Sequence, residues 1–275
     1  MGTATKKTIF VVDDNDTFLA QFNAALRHYY EVLTMPSGKK MFTLLEKVTP
    51  HLIVLDIEMP EMDGFEILSK LKADKAYAHI PVMFLSSVQD PSMETKAFRM
   101  GIVDFIGKSF FSAPVLNNRI KLQLDVLELK NKPKKEDGAV KPDMKTIVAV
   151  DDNDTFLSKF NTAMKSYYNV VTASSGEKMF NLLEKVTPHL IVLDIEMPGM
   201  DGFEILNKLK AHSDYREIPV MFLSGTQDAT MESRGFSLGI ADFIEKDFFS
   251  APILNNRIRL QLEMLDMKRR SKSAR

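Results

Sequence analysis

Cysteine is absent from all 275 residues, so no disulfide staples the chain and no thiolate holds a metal. That usage fits a reducing compartment. No apolar run approaches the roughly 20 residues of a membrane helix. The opening MGTATKK, followed by TIFVV, holds too short an apolar segment for a secretory signal, so the chain is expected in the cytoplasm with no membrane partner. An excess of either charge is also missing. The 36 basic and 37 acidic side chains leave a net charge of −1 and no general attraction to nucleic acid. The basic tail, 268–275, is expected to be a solvated chain end rather than a nucleic-acid arm. Five histidines, His28, His51, His79, His189 and His212, are scattered without ligand spacing and are assigned no metal or phosphoryl role.

What is present is the composition of a soluble globular protein, 45% hydrophobic and 27% charged, in a chain long enough for two ordinary domains. Residues 48–64, VTPHLIVLDIEMPEMDG, return at 186–202 with one change, Glu61 to Gly199. The first acidic pair, the strand aspartates and the late lysines all recur at a constant offset, with no insertion or deletion between copies. A repeat of that length makes two domains rather than a solenoid. They are expected at 1–130 and 144–275, joined by a linker at 131–143, NKPKKEDGAVKPD, which has two prolines, a glycine and no apolar period.

The first copy opens on an apolar strand, Thr8–Val12, that ends in Asp13 and Asp14. Phe18, Phe22, Ala25, Leu26 and Tyr29 follow at helical spacing and predict one buried face, with Asp16 as the candidate cap. After a short strand at Glu31–Met35, Ser37 signals the start of a helix with inner face Met41, Leu44, Leu45 and Val48. The central strand Leu52–Asp56 delivers a carboxylate to its tip. A helix over 65–72, a strand over 81–85 ending at Ser86, a helix over 93–100 closed by Gly101 and a strand over 104–106 before Lys108 complete the pattern. Ser112 and Pro114 begin the last helix. Five strands alternating with five helices predict an α/β, doubly wound (βα)5 domain with a parallel sheet in the flavodoxin-like order 2-1-3-4-5. The final helices are long. Leu116, Ile120, Leu122, Val126, Leu127 and Leu129 exceed what one sheet needs, and the second helix runs over 252–267. The surplus is expected to pack against the second domain or, in a homodimer, against another copy.

An acidic pair, an aspartate, a hydroxyl and a lysine stand at strand C-termini in each copy: Asp13 and Asp14, Asp56, Ser86 and Lys108, then Asp151 and Asp152, Asp194, Ser224 and Lys246. In the expected strand order, strands one and three are neighbours, so the carboxylates converge where ligands bind open parallel sheets. Converging carboxylates resist ionising unless a cation sits among them, and Mg²⁺ is the natural oxygen-preferring partner. With that charge neutralised, the strand aspartate can attack phosphorus and form an aspartyl phosphate, with lysine and hydroxyl steadying the equatorial oxygens.

VVDDND at 11–16, VLDIEMPEMDGFEIL at 54–68, IPVMFLSS at 80–87 and GIVDFIGK at 101–108, each with its later counterpart, resemble the receiver domains of two-component response regulators. The resemblance implies that Asp56 and Asp194 accept phosphate from a histidine kinase or phosphotransfer protein, making the chain a signalling phosphoacceptor rather than a turnover enzyme. It implies one Mg²⁺ per domain, touched directly by Asp14 and Asp152, largely through water by Asp13 and Asp151, and by the backbone carbonyls of Glu58 and Glu196. Ser86 and Ser224 would move toward the phosphoryl group, Lys108 and Lys246 would pair with it, and Phe105 and Phe243 would rotate with the active state. By the same analogy Glu58 and Glu196, with Val88 and Thr226, tune phosphoryl lifetime. Ser109 and Asp247 depart from the family, which commonly has proline after its lysine.

Two rival expectations accompany this one. Asp14-Asn15-Asp16-Thr17 superficially matches the nucleophile motif of haloacid-dehalogenase-type phosphatases, which would make Asp14 and Asp152 nucleophiles. It leaves Asp56 unexplained, and no late acidic pair follows Lys108 or Lys246. The other is that the long helices lead into a cyclase or phosphodiesterase effector of a longer regulator.

Overall fold

The computed structural model describes residues 6–88, 90–108, 112–130, 144–225, 228–246 and 250–273. The expected linker 131–143, and the positions of Ser109, Thr226 and Asp247, lie outside them. The chain divides into two compact units, Met1–Leu124 and Asp125–Arg275.

In the first half, strands β1 (Thr8–Val12), β2 (Glu31–Met35), β3 (Leu52–Asp56), β4 (Val82–Ser86) and β5 (Asp104–Gly107) alternate with helices α1 (Asp16–Leu26), α2 (Gly38–Leu45), α3 (Gly64–Ala73), α4 (Pro91–Arg99) and α5 (Ala113–Lys130). The second half repeats this with β6 (Thr146–Val150), α6 (Asp154–Met164), β7 (Asn169–Ala173), α7 (Gly176–Leu183), β8 (Leu190–Asp194), α8 (Gly202–Ala211), β9 (Val220–Ser224), α9 (Ala229–Ser237), β10 (Asp242–Glu245) and α10 (Ala251–Ser273). Every strand pairing is parallel, in the orders β2-β1-β3-β4-β5 and β7-β6-β8-β9-β10.

The central strands are buried along their whole length because helices cover both faces of the sheet. Alternate residues serve opposite faces. Ile9, Val11, Leu52, Val54, Met83 and Leu85 pack with Leu19, Phe22 and Leu26 of α1 and Leu116, Ile120 and Leu124 of α5. The phenylalanine of β4 faces the other way, with the Phe65 ring of α3 edge-on to Phe84 at 5.2 Å. Lys96 of α4 lies 4.2 Å over Phe65 in turn.

Five local expectations need correction. Helix α1 ends at Leu26, and Tyr29 lies beyond it, 58% exposed. The buried row is Leu19, Phe22 and Leu26, after which the chain turns so that Tyr30, not Tyr29, enters the core. The α1 cap is Asn15, whose side chain accepts from the Phe18 N–H, while Asp16 is the first helical residue; a residue inside the helix cannot cap it. Val48 lies past α2, which ends at Leu45. Ser37 does cap α2. At the last helices the two serines differ. Ser250 accepts from the Ile253 N–H at 3.4 Å, whereas Ser112 Oγ is buried with no hydrogen-bond partner among the described residues. Helix α10 runs farther than expected, to Ser273.

Candidate functional site

The strand order reverses between β1 and β3, and this sets the site. Val12 of β1 pairs in register with Leu55 of β3, so Asp13 and Asp56 emerge side by side at the C-terminal edge. Both neighbours of these tips are tied down. Asp13 N–H donates to the Met35 carbonyl at 3.1 Å, and Ile57 N–H donates to the Leu85 carbonyl at 3.1 Å. Asn15 N–H donates to Asp13 Oδ1 at 2.9 Å, so the residue that caps α1 also orients the first carboxylate. Asp63 and Glu66 form a reciprocal capping box at the start of α3. The glycine between them permits close contact: a Cβ on Gly64 would lie 2.5 Å from the Asp56 carbonyl oxygen. Gly202 stands in the same relation to Asp194.

Asp13, Asp14 and Asp56 offer carboxylate oxygens that all lie within 4.8 Å of one another, as do those of Asp151, Asp152 and Asp194. In each trio two members are buried and the third, Asp14 or Asp152, faces solvent. Lys108 Nζ closes on both buried members, 2.7 Å from Asp13 Oδ2 and 2.7 Å from Asp56 Oδ2. Lys246 repeats this at 2.7 Å from Asp151 and 2.8 Å from Asp194. Each ammonium also lies 5.2 Å from the centre of an aromatic ring, Phe18 or Phe156.

The electrostatics follow from burial. Desolvation pushes the Asp56 carboxyl up to about 6; the Lys108 contact opposes that rise and the neighbouring Asp13 charge adds to it. Asp194 is raised for the same reasons, burial first. Burial works against the charge of Lys108, but its bonds to Asp13 and Asp56 outweigh that and hold its pKa above the usual lysine range; Lys246 behaves alike. Asp56 Oδ1 is buried without a hydrogen-bond partner among the described residues, while Asp194 Oδ1 receives only a long bond, 3.4 Å, from Glu196 N–H. A buried, unsatisfied oxygen within an all-carboxylate trio fits a hard divalent cation.

Other residues singled out by the sequence lie close in the chain path but point elsewhere. Ser86 is buried at the β4 tip, and its hydroxyl serves its own loop, donating to the Val88 carbonyl at 2.8 Å and accepting from Val88 N–H at 3.0 Å. Ser224 is buried at the β9 tip. Phe105 and Phe243 are inward, each 2% exposed. Glu58 and Glu196 are exposed. Sequence reasoning missed the supporting residues Asn15 and Asn153, Phe18 and Phe156, and Gly64 and Gly202. The Asp-x-Asn order and the glycine directly after Asp63 were the available signals. The rings under the lysines had none, since only folding brings Lys108 to Phe18 and Lys246 to Phe156.

The family model described as the response regulator receiver domain matches residues 9–121 and again 147–259. The chain belongs to the response regulator receiver family. Both halves are receivers, in tandem. A probable cyclic di-GMP phosphodiesterase of Vibrio cholerae is 35% identical over 45% of this chain and 28% of its own length. The response regulator PleD of Caulobacter vibrioides is 24% identical over 93% of this chain and 59% of its own length. Among solved structures, the N-terminal domain of a response regulator receiver protein from Methanoculleus marisnigri is 34% identical over 38% of this receiver pair and 85% of that chain, with a TM-score of 0.36. The tandem receiver chain thus spans little more than a quarter of the first relative's length and under two thirds of the second's. Family membership displaces the dehalogenase-type reading. In this chain Asp14, which would have been that nucleophile, is exposed, while Asp56 is the buried, lysine-paired carboxylate. Among the described residues no helix is long and apolar enough to cross a membrane.

Proposed function

We propose that this chain is a two-component response regulator with two phosphoacceptor sites, Asp56 and Asp194. An Asp56 oxygen attacks the phosphorus of a phosphohistidine on a kinase or phosphotransfer protein; the P–O bond forms as the P–N bond breaks, and the imidazole leaves carrying a proton. Lys108 then gives up its contact with Asp56 for the new phosphoryl oxygens, staying near Asp13. Ser86 turns its hydroxyl from Val88 toward the phosphoryl group, and Phe105 rearranges behind it. Asp13, Asp14, Asp56 and the Glu58 carbonyl would hold Mg²⁺, which neutralises charge on the equatorial oxygens when bound. Asp151, Asp152, Asp194, Glu196, Ser224, Lys246 and Phe243 take the same parts in the second receiver. Phosphoryl groups charged from ATP by cytoplasmic kinases make the cytoplasm the compartment for this reading.

The observation that carries the proposal is the buried aspartate at the central strand tip, ion-paired with a lysine at 2.7 Å in the first copy and 2.8 Å in the second and grouped each time with two further carboxylates. The test is intact mass after incubation with Mg²⁺ and acetyl phosphate. Two phosphoryl groups on the wild type, one on each of Asp56→Asn and Asp194→Asn, and none on the double variant are expected. A double variant that still gains phosphate would sink the assignment.

A second reading concerns output. The chain matches only part of each relative, one of which is a probable cyclic di-GMP phosphodiesterase. That supports a receiver portion controlling a cyclic-dinucleotide effector, against a free-standing switch that binds a partner. The size of the protein in extracts of its own cells separates the two: a species well above the mass of 275 residues supports the effector reading. Dimerisation through α5 or α10 would appear as a doubled mass in light scattering.

A further inference from the structure

The two receivers share the carboxylates, serine and lysine of the candidate site, with closely matching ion-pair distances, so a difference in how readily they accept phosphate comes from the residues around that set. At the C-terminal edge of the two sheets, where the carboxylates emerge, three described positions change charge. Exposed Lys39 in the first turn of α2 becomes exposed Glu177 in α7, Glu61 becomes Gly199, and Gly107 at the end of β5 becomes Glu245 at the end of β10. One reversal, one loss and one gain leave the second rim more negative by a net two charges.

Of the three, Glu245 is the one that adjoins site residues both along the chain and across the sheet. It directly precedes Lys246, whose ammonium lies 2.8 Å from Asp194 Oδ2. It also pairs in register with Ser224, the buried hydroxyl at the β9 tip, where Gly107 pairs with Ser86. A carboxylate at that strand end adds negative charge to the edge of the sheet that a phosphodonor must approach, and salt screens such a charge only over a Debye length of about 8 Å. It repels a dianionic phosphoryl group and attracts a cation, whereas the glycine of the first receiver does neither.

Resting on the phosphoacceptor reading above, we infer that Glu245 is a specificity-determining residue: it makes Asp194 the slower acceptor for anionic phosphodonors, so that Asp56 is charged first. The bonds made and broken are the same at both sites; only the approach of negative charge differs. Because the effect is electrostatic, it has a signature that a change in packing does not share. Removing the charge should speed phosphoryl uptake and weaken Mg²⁺ binding at the same site, two movements of opposite sign.

The experiment uses the full chain with one acceptor left at a time. Asp56→Asn leaves Asp194, and Asp194→Asn leaves Asp56; each is charged with acetyl phosphate, a dianion, at saturating Mg²⁺ and low salt, and followed by intact mass. Asp194 is expected to charge about 5- to 20-fold more slowly than Asp56, the scale set by like charges several ångströms apart in a high-dielectric rim. The gap should narrow as salt rises. Adding Glu245→Gly to the Asp56→Asn chain should recover most of the rate while weakening Mg²⁺ binding measured by calorimetry. Adding Gly107→Glu to the Asp194→Asn chain should slow Asp56. Equal rates at the two sites, or a slow Asp194 that ignores Glu245→Gly, would overturn the inference alone; loss of both uptake and Mg²⁺ binding in Glu245→Gly would replace it with a structural role. Phosphate on neither single-site chain would bring down the phosphoacceptor reading and this inference with it.

Discussion

At the scale of single residues, the one difference within the repeated central motif has a backbone meaning. Glu61 has φ 67 and Gly199 has φ 84, so both occupy the left-handed region, which only glycine enters without a Cβ penalty. Glu61→Gly is therefore expected to stabilise the first receiver by about 1 kcal/mol and Gly199→Glu to destabilise the second by a similar amount. Urea unfolding of the two variants would show midpoints moving in opposite directions. Asp56 supplies a second prediction. Its folded pKa, about 6, lies above the ordinary carboxylate value, so the folded state binds the proton more tightly than the unfolded chain. Stability in the absence of metal is then expected to fall as pH rises from about 4 to about 6, by on the order of 2 kcal/mol from this group. Asp56→Asn lacks that dependence. In chelator, its stability relative to wild type should rise across this window, and added Mg²⁺ should restore the wild type above pH 6. A difference that stays flat with pH would contradict the burial argument.

At the scale of elements, the decisive contact is the start of α3 against the tip of β3. Gly64 N–H donates to the Ile57 carbonyl at 2.9 Å, and the missing Cβ lets the helix approach Asp56. Gly64→Ala would place a methyl group against backbone that has nowhere to retreat, since Ile57 is also held by Leu85. A loss of about 1–3 kcal/mol is expected from such overpacking, together with slower phosphorylation at Asp56 and unchanged phosphorylation at Asp194. Mass spectra resolved by site would reveal that asymmetry. The strands were legible because continuous runs such as Leu52–Asp56 mean burial on both faces and end where the carboxylate begins. The ends of helices were less so. Tyr29 continues the helical spacing of Phe18 and Phe22, yet α1 stops at Leu26, because the turn that brings Tyr30 into the core has no periodic signature.

At the scale of the whole molecule, two complete sheets, each with its own core, imply two autonomous folding units. Fragments 1–130 and 144–275 are each expected to unfold cooperatively and to retain phosphorylation at Asp56 and Asp194. Loss of structure in either fragment would refute the proposed boundaries. The amino-acid sequence determined the number of domains, the alternation of strand and helix and the identity of the acidic, hydroxyl and lysine residues, because those are recorded in periodicity and in residues recurring at a fixed offset. Tertiary structure alone decided how the site stands at rest. It brought Lys108 between Asp13 and Asp56, turned Ser86 toward Val88 and raised Asp56 by burying it. Those properties depend on which groups meet across strands far apart in the chain and on how much water they lose, and neither is written in the order of residues along one segment.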